Sequence, residues 1–396
     1  MLSTALLFGG ESLLLILWLR LGGLWLLGLM FLRASQVPPA SYVGPARVSV
    51  LIPAFQEEAL IGETLKALQL STFAPWEVIV VDDGSTDCTA SVANQALRAF
   101  PRGFVLCHDK NRGKAAAINS GLEVCRGDLI LILDADTRLL PASLSIAMAE
   151  QERVNADAVA FWIEVEQTHG LLVRLQHQEY LAAFNLERSG QSALGIMAIL
   201  PGSATLLRRS MFEVNQFSSR TYTEDADFTL TLSRAGARFT LAPGARARTI
   251  VPCSWRAIID QRTRWQSGHL QCVCLHLPTI GEGSLRHRLL TLPNFMVSTL
   301  VFCLGLLVIV CFARDGRSPL LHLDLSKVIL LTTALVYLQR ISSWRLCRDR
   351  SLLFWEVLLE PLVSSIWGGI AFLMALRRLA LVHRRSPWQG TWSPPR

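Results

Sequence analysis

Between residue 48 and about residue 247, short apolar runs alternate with stretches whose apolar positions recur every three or four residues. The runs 48–52, 77–81 and 129–133 are too brief for helices and stop at Pro53, at Asp82-Asp83-Gly84-Ser85 and at Asp134. Continuous apolarity over so few residues predicts strands buried on both faces. Residues 58–70, and the stretch after Ser85 to about Ala99, have helical spacing instead. Strands alternating with helices, with polar residues at the strand C-terminal ends, predict an α/β domain. Its sheet is expected to be parallel, with the ligand site along that edge.

Outside this region the pattern changes to long apolar runs. Residues 12–32 have membrane-spanning length and are interrupted by Arg20; 293–312 form a second run. Residues 328–338, extendable backwards through Leu320, form a third, and 352–376 a fourth broken by Glu356, Glu360 and Pro361. The first run lacks a small-residue cleavage site, so it reads as a retained anchor. No Lys or Arg precedes Arg20, whereas Arg33 and Arg47 follow the run. The positive-inside rule then puts the N-terminus outside and the middle of the chain in the cytosol. The arginine-rich stretch 340–350 and the tail with Arg377, Arg378, Arg384 and Arg385 both suit the cytosol, which one simple span between them cannot satisfy. Either 352–360 lies in the interface before a shorter span, or the fourth segment is a hairpin. The expected organisation is an anchor over 1–35, an α/β domain over 45–250, interfacial helices over 251–290, membrane helices over 291–380 and a cytosolic tail over 381–396.

Composition sharpens this picture. Of 396 residues 51% are hydrophobic and 17% charged, too apolar a balance for a wholly soluble protein. The net charge of +7 comes from arginines crowded around apolar segments. That placement reads as topology signal and contact with anionic lipid, and argues against a nucleic-acid partner. Nine cysteines show no CxxC pairing, so they read as reduced, packed side chains rather than zinc ligands or disulfides.

Four clusters carry candidate chemistry. Asp134-Ala-Asp136 follows a buried strand, where alternating carboxylates can hold a hard divalent cation that neutralises a diphosphate. Asp82-Asp83-Gly84-Ser85-Thr86-Asp87 ends another strand. It offers either Asp82 or Asp83 to a nucleobase edge, or Ser85 and Asp87 as helix caps. Thr223-Glu224-Asp225 precedes an apolar-periodic helix. There a carboxylate can deprotonate an acceptor hydroxyl, or Thr223 can simply cap the helix. In Gln261-Arg-Thr-Arg264-Trp265 the first, fourth and fifth residues share one helix face. Arginine can pair with a diphosphate and an indole can stack on a sugar; the alternative is an amphipathic helix lying in the membrane interface.

Taken in order, these clusters resemble the processive family 2 glycosyltransferases. The resemblance also includes the run from Val48 to Glu58 and Asn111-Arg-Gly-Lys114, and extends into the membrane part. That family includes the membrane synthases of poly-N-acetylglucosamine, hyaluronan, chitin oligomers and cellulose. The tail Thr391-Trp-Ser-Pro394 is similar to that of bacterial poly-N-acetylglucosamine synthases. The resemblance implies a GT-A fold and an inverting, one-step transfer from a UDP-sugar, with N-acetylglucosamine the first choice. The acceptor would be a growing β-linked polysaccharide, in a bacterial-type inner membrane with the catalytic domain cytosolic. By position, Ala54, Phe55 and Glu57 would line the nucleotide pocket, with Asp82 or Asp83 at the uracil and Lys114 approaching the nucleotide. Asp134 and Asp136 would hold Mg²⁺ or Mn²⁺, and Asp225, with Glu224 beside it, would be the general base. Gln261 and Arg264 would contact the diphosphate, and Gly202, Ser203 and Trp265 the acceptor. Membrane lipid is a further partner, and the reading leaves room for an accessory export subunit. Phe55-Gln56 stands where the family commonly has Tyr-Asn, and Ser203-Ala204 departs from several relatives, which bears on acceptor identity. The same fold and metal site also serve non-processive transferases that add one sugar to a lipid. A catalytically silent polysaccharide channel subunit is the remaining alternative.

Overall fold

Each apolar run divides its residues between two cores, as a strand covered on both faces must. Val48, Val50 and Ile52 pack into one core and Leu51 into the other; Val78 and Val80 oppose Ile79 and Val81 in the same way. The computed structural model describes residues 2–35, 41–42, 44–167, 169–315, 324–347 and 352–382. Thr391-Trp-Ser-Pro394, Arg384, Arg385 and nearly all of the expected tail lie outside the described residues, as does the backward extension of the third run to Leu320.

The chain begins with α1 (Leu2–Ala34), β1 (Val48–Ala54), α2 (Ile61–Gln69), β2 (Glu77–Asp82) and α3 (Thr89–Leu97). Next come β3 (Gly103–Cys107), α4 (Lys114–Val124), β4 (Leu129–Leu133), β5 (Thr137–Leu139), α5 (Ser143–Arg153) and β6 (Ala158–Val165). A helical excursion follows: α6 (Leu171–Glu179), a π-helical turn (Tyr180–Leu186) and α7 (Glu187–Leu194). Then come β7 (Ala204–Arg208), α8 (Ser210–Val214), α9 (Glu224–Arg234), β8 (Phe239–Thr249) and the long helix α10 (Trp255–His276). The C-terminal part holds α11 (Leu292–Thr299), α12 (Val301–Asp315), α13 (Leu325–Cys347) and α14 (Phe354–Val382).

The eight strands form one sheet in the order β3-β2-β1-β4-β7-β6-β8-β5. Helices α2, α3 and α5 cover one face, and α4, α8 and α9 the other. The parallel pairing expected from the sequence is found over β3, β2, β1 and β4 and again between β6 and β8, but it is interrupted. Strand β7 runs antiparallel to both β4 and β6, and β5 antiparallel to β8. A central antiparallel strand is as continuously apolar as a parallel one, so pattern alone does not reveal direction. The reversal has a use. Because β7 begins where β4 ends, Ser203 lies beside Asp134, whose backbone N–H donates to the Ser203 carbonyl at 3.0 Å.

Among the described residues, three helices are long and apolar enough to cross a membrane: Ser12–Ala34, Leu325–Leu346 and Phe354–Leu381. The straight span expected over 293–312 is instead a pair, His287–Thr299 and Val301–Val310, bent by 72°. Its first half is tied to the α/β domain through buried Leu292 and Phe295, which pack with Ala226 and Leu230 of α9. In the second half Leu306, Ile309 and Val310 face outward, so the chain turns where its surroundings change. The fourth segment is not a hairpin: α14 is one helix that runs through Pro361. Glu356 and Glu360, which break its apolar pattern, are fully buried and ion-paired, with Arg174 at 2.6 Å and Arg340 at 2.5 Å. A charged pair with this geometry removes the reason for the helix to stop.

Helix α1 meets α7 backbone to backbone. A Cβ on Gly28 would strike the Leu186 carbonyl oxygen, and one on Gly190 the Leu24 carbonyl oxygen. Small residues at such crossings let membrane helices approach closely. Arg20 is neutralised in the same seam, bonding Glu187 and donating from Nε to Asn294 Oδ1 at 2.9 Å.

Candidate active site

Where the parallel strands end, a cavity of about 1210 Å³ opens between the sheet edge, α9, α10 and the long apolar helices. Asp136, Asp225 and Trp265, far apart in sequence, all line it.

Its floor is built by the turn after β2. Asp83 accepts from the backbone N–H groups of Arg112 (3.0 Å) and Gly113 (2.7 Å) and from His108 Nδ1 (2.6 Å). His108 Nε2 in turn takes the Ser120 hydroxyl at 2.9 Å. Gly113 has φ of 91°, a conformation that glycine tolerates, and it delivers Lys114 to the start of α4. The Lys114 ammonium then lies 2.5 Å from Asp134 Oδ1 and 3.6 Å from Glu224 Oε1.

Negative charge is concentrated here beyond what Lys114 offsets. Burial, opposed by Lys114 and reinforced by Asp136, pushes the Asp134 carboxyl up to about 6. Burial raises Asp136 as well, although Thr137 and Thr249 hydroxyls bond it. Glu57 is pushed up to about 8 by burial and by the charges of Asp136 and Asp134. The described residues contain no group of three or more His, Cys, Asp or Glu side chains arranged to hold a metal. Two carboxylates do suit Mg²⁺ or Mn²⁺, which commonly take one or two protein oxygens and complete their shell from phosphates and water. The crowding of buried acids fits such a cation.

At the start of α9, Thr223 makes no side-chain capping bond, so the capping alternative does not hold. Glu224 shares Lys114 with Asp134. Among the described residues, Asp225 accepts only from backbone amides, Gly202 N at 3.3 Å and Ala226 N at 2.8 Å. Gly202 is wedged in place: a Cβ there would lie 3.2 Å from Asp225 Oδ2 and 3.3 Å from the Lys114 ammonium.

Helix α10 forms the opposite wall. Ser254 starts it, its hydroxyl accepting from Ala257 N. Gly268 lets it press on the Thr223 turn, where a Cβ would collide with the threonine hydroxyl. Gln261, Arg264 and Trp265 all face the cavity, and Gln261 Oε1 is buried without a hydrogen-bond partner.

Of the expected residues, Glu57, Lys114, Asp134, Asp136, Gly202, Ser203, Glu224, Asp225, Gln261, Arg264 and Trp265 share this cavity. Ala54, Phe55, Asp82 and Asp83 do not line it. Asp83 is committed to its loop, while Asp82 is buried with Oδ1 unpartnered. Asp87 does hold the start of α3, accepting from Thr89 N at 3.0 Å, and Ser85 accepts from Gln56 N at 2.9 Å. Gln56 itself has φ of 59°. Pattern reading missed Glu179, Tyr180, Phe184 and Arg188, which line the cavity from the excursion between β6 and β7, and Arg262, which was passed over as a spacer. The available signal was a set of charged residues within an apolar helical stretch.

The cavity does not stop at the α/β domain. Arg20 of α1, Ser298 and Phe302 of α11 and α12, and Ser364 and Trp367 of α14 line its far end.

Residues 49–215 match the family described as Glycosyl transferase family 2. The chain is 27% identical over 272 residues to the Bacillus subtilis (strain 168) protein named "Probable glycosyltransferase YdaM". It is 30% identical over 273 residues to an N-acetylglucosaminyltransferase of Rhizobium leguminosarum bv. viciae. Each match takes in 66% of this chain and 64% of the relative, so the chain spans just under two thirds of their length. Among solved structures, a mannosyltransferase of Pyrobaculum calidifontis in complex with GDP-Man and Mn²⁺ is similar in fold. It has a TM-score of 0.57 and 20% identity, over 90% of this chain and 99% of that one. Residues 49–215 therefore form a glycosyl transferase family 2 domain with the GT-A fold.

Proposed function

We propose that this protein transfers N-acetylglucosamine from a UDP-sugar to a growing β-linked glycan, with inversion, at the cytosolic face of a bacterial-type inner membrane. One observation carries the reading: a single cavity joins the Asp134–Lys114 end, the Asp225 carboxylate and the Trp265 ring to the membrane helices. The relative from Rhizobium supports the choice of sugar, and Arg33 in the last turn of α1 with Arg47 beyond it supports the cytosolic side.

In this reading Asp134 and Asp136 hold Mg²⁺ or Mn²⁺, which would offset charge on the departing diphosphate. Lys114, Gln261 and Arg264 bind the same diphosphate by charge and hydrogen bonding. Asp82, with its unpartnered buried oxygen, is the better placed of the two turn aspartates to meet the nucleobase. Glu57 lines the cavity towards that end, and Ala54 and Phe55 precede it in the chain at the end of β1. Asp225, held by two amides and with no ion pair to Lys114, takes the proton of the attacking hydroxyl, and Glu224 keeps Lys114 in place. Gly202 and Ser203 border the acceptor, and Trp265 stacks on its terminal ring. Successive additions would feed the product towards Phe302 and Trp367, the arrangement a processive, exporting enzyme needs.

Detergent-solubilised protein incubated with a panel of UDP-sugars, with and without EDTA, tests this directly. UDP release is expected with UDP-N-acetylglucosamine and lost on chelation, and mass spectrometry should find a ladder of products. Release without metal would refute the cation site, and products extended by one sugar only would refute processivity.

A further inference from the structure

Trp265 does not stand alone in the cavity wall. The Arg262 guanidinium lies over its ring, 4.3 Å from the centroid, and 5.7 Å from the centroid of Phe184. The Phe184 and Trp265 rings are themselves 6.0 Å apart and tilted by 60°. Arg262 precedes Trp265 by three positions on α10, so the two side chains share a helix face. Arg262 Nη2 donates to Glu179 Oε2 at 2.7 Å, and the two side chains are only 7% and 13% exposed. Its Nε is buried without a partner, as expected of a guanidinium laid flat on a ring rather than bonded at its edge. Glu179 ends α6, where the backbone passes into the π-helical turn that carries Phe184. Such turns are rare and cluster at functional sites.

We infer that Arg262, held by Glu179, is a positioning residue that fixes the Trp265 indole and covers one of its faces, leaving the other as a one-sided platform. The inference rests on the proposed role of Trp265 as the acceptor platform. The ligand that fits one open aromatic face is a pyranose presenting its C–H surface, with its hydroxyls turned sideways towards the walls. Fixing the ring matters because the acceptor hydroxyl must reach Asp225 in register. A misplacement of about 1 Å can lower a rate on the order of a hundredfold. A lysine in place of Arg262 would still neutralise Glu179 but could not lie flat on the indole.

The test compares Arg262→Lys, Glu179→Gln and Trp265→Ala with wild type, in two measurements. The near-ultraviolet circular dichroism band that Trp265→Ala removes reports a rigidly held indole. That band should also vanish in Arg262→Lys, with the unfolding midpoint near wild type, and fade in Glu179→Gln. In turnover with UDP-N-acetylglucosamine and N,N′,N″-triacetylchitotriose, the acceptor KM of Arg262→Lys should rise about five- to tenfold, with the donor KM unchanged. An intact Trp265 band and acceptor KM in Arg262→Lys would overturn the inference while sparing the platform. A joint rise in donor and acceptor KM would overturn it in favour of a merely structural pair. An unaltered acceptor KM in Trp265→Ala would remove the platform itself, and the inference with it.

Discussion

At Gly202 the chain passes close to two side chains of opposite charge, so that an added Cβ would crowd both Lys114 and Asp225. The same economy of space explains why Asp225 is bonded by amides alone while Glu224 serves the lysine. Asp225→Asn keeps the shape and an acceptor for one of the two amides but removes the proposed base. Its kcat is expected to fall by about 10²–10⁴, measured as UDP release, with UDP-sugar affinity little changed. The acids around Asp134 set a pH dependence. Their folded pKa values, about 6 for Asp134 and about 8 for Glu57, lie above the usual carboxylate range, so the metal-free site keeps protons. The stability this gives is present below the unfolded values and is lost as pH rises through 6 to 8. A Mn²⁺ ion bound at the proposed site would displace those protons. Its affinity should therefore climb from pH 5 towards pH 8 and its binding should release protons, seen by calorimetry in buffers of different ionisation heat; a flat profile would contradict the arrangement. Residues that line the cavity were legible in the sequence where they follow a buried strand or sit on one turn of a helix, as with Asp134, Asp136 and the Gln261–Trp265 face. Arg262 was not, because its meaning depends on Glu179, 83 residues earlier, and on a ring packed against it.

Among the secondary-structure elements, β1, β2 and β4 could be read from continuous apolarity alone, and their ends were correct to within two residues. The direction of β7 could not. Nothing in Ala204–Arg208 distinguishes an antiparallel from a parallel central strand, and the preceding excursion allows either return. Nor could the bend between α11 and α12, which arises because one half of a single apolar run packs on α9 and the other half does not. The seam between α1 and α7 yields the clearest prediction at this scale. Gly190→Leu forces a side chain into the Leu24 backbone and should cost about 3 kcal/mol or more. Gly23→Leu, with nothing within 4 Å of its Cβ position, should cost almost nothing. Thermal unfolding midpoints of the two variants in the same detergent decide the matter, and equal midpoints would mean the helices do not meet as described.

The whole molecule is less divisible than its composition suggests. The apolar ends read as anchors attached to a separate domain, yet Arg20 bonds the excursion before β7, and α11 packs on α9, the helix that carries Asp225. Helix α14 goes furthest. Its Glu356 is clasped by Arg174 of α6, and near its other end the Arg378 guanidinium lies 4.3 Å from the ring of Tyr222, two residues before Glu224. A helix of 29 residues is about 43 Å long. Fastened to the catalytic body at both ends, it behaves as a crossbar rather than a mooring line. Any tilt that a thicker or thinner bilayer imposed on α14 would be passed to the turn that carries Tyr222, Glu224 and Asp225. Catalytic rate should therefore follow acyl-chain length when the protein is reconstituted into phosphatidylcholine vesicles of graded thickness, and Arg378→Ala should blunt that dependence. Identical turnover across the series would show that the crossbar transmits nothing.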